Sequence, residues 1–229
     1  MHFSIVIEGN SVSEKAFDSL ESSSRAVGND FDILPFAAIT PETVDDAMSY
    51  EKVTWNWPWE REEIDFATGL TKKPYPTKNR KARMACAMSH YLLWKHVSES
   101  NESALITEHD AVFVERIDFD FDGLGVPILG INNPMGTTRR PHDYHAIVMA
   151  SKRDILLSPN IDDPSVPQGL AGNSAYFISP AGANRMLECT KQFGLWPNDA
   201  LMCRQLVARL SVTKRYYTQV QGLRSTTTQ

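Results

Sequence analysis

The alternation of apolar and polar positions predicts that the chain begins with a strand. Phe3-Ser4-Ile5-Val6-Ile7 is rich in β-branched residues, and Glu8-Gly9-Asn10-Ser11 ends it in a turn. Ser13 is placed to cap a helix from about Glu14 to Ala26, in which Ala16, Phe17 and Leu20 recur at helical spacing. Gly28-Asn29-Asp30 closes that helix, and residues 31–39 read as a second strand interrupted by Pro35. Thr40-Pro41-Glu42 then puts proline at the first position of a short helix reaching about Met48. Strand, helix, strand, helix is the opening of an α/β domain with a parallel sheet.

From 51 to 80 the period is lost. Trp55, Trp57, Trp59, Pro74, Tyr75 and Pro76 sit among charges, which reads as a long loop or lid outside the core. Such aromatics either stack on sugar rings and bases or pin the loop to the body. Lys81 to about Val97 is helical, with Met84, Met88 and Tyr91 on one side and Cys86, His90, Leu93 and Val97 on another, so burial around most of its circumference is expected. Residues 103–107 form a short strand running into Glu108-His109-Asp110, and 126–131 form another ending at Asn132-Asn133. The segment 134–170 has no secure order. Residues 176–178 read as a strand, 181 to about 191 as a helix after Ser179-Pro180, and 199–210 as a further helix.

Composition narrows the function classes. The 229 residues suit a single domain, spanning 1–229, with 51–80 as its lid or insertion. An apolar fraction of 42% with 22% charged residues fits a globular core and disfavours disorder. A net charge of -5 argues against a nucleic-acid partner, although a single nucleotide needs only a few amides and one metal ion. The basic residues Lys72, Lys73, Lys78, Arg80, Lys81 and Arg83 read either as a solvated loop and helix start or as phosphate or acceptor contacts. Cys86, Cys189 and Cys203 read as reduced thiols, and no stretch of about 18 apolar residues predicts an integral membrane segment, so a cytoplasmic protein is expected.

The chemistry concentrates after the strand at 103–107. Glu108 and Asp110 alternate in an extended segment and can face one cleft, and hard oxygen ligands of this kind suit Mn²⁺ or Mg²⁺. Taken as residue types, the same pair is an ordinary acidic turn. Its setting is more specific. Cys86-Ala87-Met88-Ser89-His90-Tyr91-Leu92-Leu93-Trp94, followed by Ala104-Leu105-Ile106-Thr107-Glu108-His109-Asp110, resembles glycosyltransferase family 25, which includes lipopolysaccharide-type and collagen-modifying galactosyltransferases. The family's pattern is a Cys-x-x-Ser-His-x-x-x-Trp helix and a strand ending in Glu-Asp-Asp. Ser174 to Ala183 and Trp196-Pro197-Asn198-Asp199 resemble its later segments. His109 departs from the middle aspartate of the acidic triplet, and the loop at 8–11 lacks the family's usual Asn-Leu and arginine pattern.

The resemblance implies a GT-A-like nucleotide-sugar-binding fold, with a mostly parallel central sheet and helices on both faces. It implies an inverting, metal-dependent transfer of a hexose such as galactose from a UDP-sugar to a saccharide or other hydroxyl acceptor. Glu108 and Asp110 are then the metal ligands, and Ser89, His90, Asn132 and Asn173 the candidate substrate contacts. Asp199 is the general base, a role compatible with capping the helix that follows it. Cys86 and His90, four apart on a helix, lack two further ligands at zinc spacing. Two alternatives remain: a non-catalytic relative that binds a nucleotide sugar or glycan, and a metal-dependent hydrolase or nucleotidyltransferase.

Overall fold

The computed structural model describes residues 1–136 and 140–223. The first half contains β1 (His2–Val6), α1 (Ser11–Ala26), β2 (Leu34–Ala37), α2 (Val44–Glu51), β3 (Glu63–Asp65), β4 (Leu70–Lys72), α3 (Arg80–Ser100), β5 (Ala104–Glu108) and β6 (Ala111–Phe113). The second contains β7 (Ile128–Gly130), α4 (Pro141–Ala150), β8 (Ile155–Leu157), β9 (Ala175–Ile178), α5 (Pro180–Phe193), α6 (Asn198–Leu201), β10 (Ser211–Thr213) and β11 (Thr218–Val220).

Seven strands form one sheet in the order β2-β1-β5-β9-β7-β10-β8. β2, β1, β5, β7 and β10 run one way, and β9 and β8 run against them, giving the expected mixed α/β sheet with most strands parallel. β5 lies inside it and is buried on both faces, which explains its continuous apolar run. Ala104 and Ile106 pack with Leu93, Trp94 and Val97 of α3 and Met186 of α5. Leu105 points the other way, towards Leu20 of α1, Leu129 and Phe177. Helices therefore cover both faces.

Local chemistry sets the helix ends. The side chain of Asn10 accepts from the amides of Val12 and Ser13, so α1 starts three residues before the expected position, with Asn10 in place of Ser13 as its cap. Asn79 caps α3 and Ser179 caps α5. Gly182 lets α5 lie on the chain entering β7, because a Cβ there would come 2.3 Å from the Pro127 carbonyl oxygen.

Four expectations are corrected. α2 begins at Val44, because residues 40–43 close a turn in which the amides of Thr43 and Val44 both bond the Thr40 carbonyl. The helix expected over 199–210 stops at Leu201. Beyond it the Arg204 amide bonds the Gln168 carbonyl, and Arg209 adopts a positive φ of 61°. Segment 134–170 contains α4 and β8. Segment 51–80 is joined to the core: Trp57 and Leu70 are buried, and Lys72 is buried in an ion pair with Asp65 at 3.2 Å instead of being solvated. Among the described residues, no helix is long and apolar enough to cross a membrane.

Candidate active site

A cavity of about 450 Å³ opens at the carboxyl ends of β1, β2 and β5, lined among others by Ile7, Gly9, Thr40, Ser89, Glu108 and His109. This is the side on which open α/β sheets bind ligands. Register explains why Glu108 faces α3. Ile106 on β5 pairs with Tyr176 on β9, both pack on the α3 side, and Glu108 follows two residues later on the same face. There Oε1 of Glu108 lies 3.1 Å from Nε2 of His90, while Nδ1 of His90 lies 2.9 Å from the Tyr176 hydroxyl. Trp94, one turn beyond His90, donates from Nε1 to that hydroxyl at 2.9 Å. Burial pushes the Glu108 carboxyl up, but its bond to His90 outweighs this and holds it below the usual range.

Asp110 lies in the turn between β5 and β6. Gln221, just after β11, pins that turn: its amide donates to the Asp110 carbonyl at 2.7 Å, and its side-chain Nε2 donates to the carbonyls of His109 and Ala111. Burial, reinforced by the charge of Glu108, raises the Asp110 carboxyl to about 7. Oδ1 of Asp110 is buried without a partner among the described residues, as are Oδ1 of Asn173 and Oγ of Ser174. Ser174 is the β9 neighbour of Glu108, whose amide donates to its carbonyl at 2.9 Å. An unpartnered buried carboxylate oxygen on Asp110, two residues beyond Glu108, is the kind of hard ligand that suits a divalent cation.

A second cavity, of about 790 Å³, is lined by Trp57, Tyr75, Arg83, Tyr144, Gly169 and Asp199, among others. Gly169 allows the chain to pass against α6, since a Cβ there would sit 2.2 Å from the Asp199 carbonyl oxygen. The Arg83 guanidinium stacks 4.9 Å from the Tyr75 ring centroid. Burial raises the Asp199 carboxyl, partly offset by the charge of Arg83. Cys86 lines the first cavity, its Sγ 4.0 Å from Oε1 of Glu108 and 3.8 Å from Oδ1 of Asn198, the neighbour of Asp199.

Ser89, His90 and Glu108 line the first cavity and Asp199 the second, whereas Asp110, Asn132 and Asn173 line neither. Ser89 is committed on both sides, donating to the Ala85 carbonyl and accepting from the Ile39 amide. Asn132 bonds Thr218 and the Asn133 carbonyl, tying the end of β7 to β11. Nδ2 of Asn173 contacts Sδ of Met202 at 3.7 Å. Cys86 and His90 do gain a third neighbour of ligand type: the potential ligand atoms of Cys86, His90 and Glu108 lie within 4.8 Å of one another. That grouping is invisible to counting along the helix, as are Gln221 and the Tyr75–Arg83 stack. Tyr176 and Trp94 were signalled only by the family pattern.

The fold and site define an α/β protein with a carboxylate, Glu108, facing a cavity on the ligand-binding side of its sheet. The sequence comparison is more specific. Residues 16–122 match the model described as Glycosyltransferase family 25 (LPS biosynthesis protein); the chain is a glycosyltransferase, similar to that family over this stretch. A comparison with curated proteins returns no match. Among solved structures, the chain is similar to the galactosyltransferase LgtC in complex with donor and acceptor sugar analogs, at 11% identity and a TM-score of 0.40 over 90% of this chain and 70% of that one. An active-site mutant of LgtC gives 11% and 0.43 over 93% and 72%. Mouse xyloside xylosyltransferase 1, in its apo form, gives 8% and 0.41 over 90% and 80%.

Proposed function

We propose that this glycosyltransferase moves a hexose such as galactose from a UDP-sugar to a saccharide or other hydroxyl acceptor, with inversion at the anomeric carbon. The observation that carries the reading is Cys86, which lines the first cavity with Glu108 and whose Sγ lies 3.8 Å from Asn198, the neighbour of Asp199 in the lining of the second. The first cavity takes the donor and the second the acceptor. Glu108 and Asp110 would hold Mn²⁺ or Mg²⁺, which when bound supplies positive charge against the departing diphosphate. Asp199 accepts the proton of the acceptor hydroxyl as that oxygen bonds to the anomeric carbon and the bond to the diphosphate breaks. Its raised pKa brings a carboxylate closer to the range in which a general base works at neutral pH. Trp57, Tyr75 and Tyr144 offer the acceptor apolar walls, which makes segment 51–80 a wall and rim of its site within one domain. The three free cysteines support a cytoplasmic setting.

The test is an incubation with UDP-hexoses and Mn²⁺, with and without saccharide acceptors, read by product mass and anomeric configuration. Transfer with retained configuration would remove the inverting role of Asp199. One observation favours a second reading, a relative that binds the donor without transferring it: His109 lines the donor cavity where the family has a carboxylate. On the catalytic reading, His109→Asp keeps or raises Mn²⁺-dependent activity. Calorimetric binding of UDP with Mn²⁺ but no product, in wild type and variant alike, would establish the second.

A further inference from the structure

Trp94, Tyr176 and His90 are all fully buried, and their polar atoms can be accounted for one proton at a time. The indole N–H of Trp94 can only donate, so the Tyr176 oxygen accepts from it. The Tyr176 hydroxyl then has one proton of its own to place. The Nδ1 of His90, 2.9 Å away, is its one acceptor among the described residues. If Nδ1 instead carried the proton, the Tyr176 oxygen would accept twice and its own buried hydrogen would bond nothing, an arrangement that native structures avoid. Nδ1 is therefore the acceptor and Nε2 bears the hydrogen, which points at Oε1 of Glu108 at 3.1 Å. Every donor faces the same way, from the core to the cavity.

We propose that Trp94, Tyr176 and His90 are positioning residues, a one-way hydrogen-bond chain that fixes Glu108 so that its remaining lone pairs face the donor cavity. The chain gives Tyr176 and Trp94, neither of which lines a cavity described above, a part in the site. It also assigns the cluster of Cys86, His90 and Glu108. A zinc-type site needs a bare Nε2, and here that nitrogen carries the hydrogen that holds Glu108. The proposal rests on the reading of Glu108 as a donor-site residue only for its effect on ligand binding. The direction of the chain stands independently of that reading.

The experiment is a long-range ¹H–¹⁵N correlation spectrum of histidine-labelled protein, with the His90 signals identified by their loss in His90→Asn. Wild type should show His90 protonated on Nε2 with Nδ1 accepting. Tyr176→Phe, which removes one oxygen from a buried ring, should turn this single tautomer into a mixture. It should also weaken Mn²⁺-dependent UDP binding by about 10- to 100-fold, the usual range for lost partners of a ligand's own partner. A wild-type His90 protonated on Nδ1, or a Tyr176→Phe spectrum unchanged at His90, would overturn the proposal. So would a Co²⁺ complex whose ligand-field spectrum changes in His90→Asn as well as in Cys86→Ala, because Nε2 of His90 would then be a ligand and bear no hydrogen. If Tyr176→Phe does not fold, the wild-type spectrum alone decides. The expected spectrum in a protein that neither binds nor turns over any UDP-hexose would leave the chain standing and sink the proposed function.

Discussion

Asp110 carries the most direct consequence of the site for stability. Its carboxyl is buried beside Glu108 and raised from 3.8 to about 7. A raised carboxyl means that the folded state binds the proton more tightly than the unfolded state, so stability is fully present below about pH 4 and declines as pH rises through about 7. Roughly three pH units at 1.36 kcal/mol each put the full cost of ionising Asp110 at about 4 kcal/mol. Asp110→Asn removes that cost but buries an amide hydrogen donor in place of an oxygen that already lacks a partner, which returns about 1–3 kcal/mol. The net gain for the metal-free protein at pH 8 is then about 1–3 kcal/mol, or roughly 2–10 °C in melting temperature for a chain of this size. With Mn²⁺ at about 100 times Kd, wild type gains about 2.7 kcal/mol and the variant nothing, which offsets most or all of that difference. Thermal melts of both proteins from pH 4 to 8, in chelator and in Mn²⁺, measure all of this. A variant no more stable than wild type at pH 8 in chelator, or a difference that does not grow with pH, would refute the reasoning.

Asp199→Asn should slow transfer by about 10²- to 10⁴-fold while leaving calorimetric binding of UDP and Mn²⁺ unchanged; a parallel loss of binding would move Asp199 out of the acceptor side. Lys72→Met should cost about 3–5 kcal/mol in urea unfolding, because it leaves the buried Asp65 carboxylate unpaired. For wild type, burial pushes Asp65 up, but bonds from Lys72 and Thr68 outweigh it and hold it below its usual value, so its contribution is present above about pH 4 and is lost as pH falls through that lowered value. Limited proteolysis should cut the β3–β4 tip at Phe66, which is 98% exposed, and spare Trp57 and Lys72; donor with Mn²⁺ should slow cleavage near Tyr75, and early cleavage at Trp57 would show that the segment is not anchored.

The sequence made α3 and β5 legible because each carries its own instruction. β5 opens on three apolar residues and is buried up to Glu108, and α3 is buried around much of its surface, so the observed bounds differ from the expected ones by at most three residues. The three-residue strands were not legible. β6 and β11 pair with each other across more than a hundred positions, and nothing within Thr218–Val220 announces that partner. The same distance hid Gln221, whose side chain clamps the acidic turn. The partner of Asn132 was hidden for a related reason: Thr218, which bonds its side chain, lies 86 positions further along the chain. The helix expected over 199–210 failed because Leu206, Val207 and Leu210 do pack into the core as the apolar spacing required, but from turns held by residues 168–169.

Helix α3 also explains why the site and the core are difficult to separate. Arg83, Cys86, His90 and Trp94 recur every three or four residues and so form one stripe along it. Read along the stripe, Arg83 lines the second cavity, Cys86 lines the first, His90 bonds Glu108 and Trp94 closes the buried chain behind it. Each rung depends on the next for its position. β9 fixes the same stripe from the sheet side, because Tyr176 pairs with Ile106 and thereby sets the height at which His90 meets Glu108. A slip of one residue between β5 and β9 would turn Tyr176 to the opposite face and leave His90 without its donor. The spacing of the Cys-x-x-Ser-His-x-x-x-Trp helix and the tyrosine on β9 thus have one physical effect, the delivery of a single carboxylate to the first cavity in a fixed orientation.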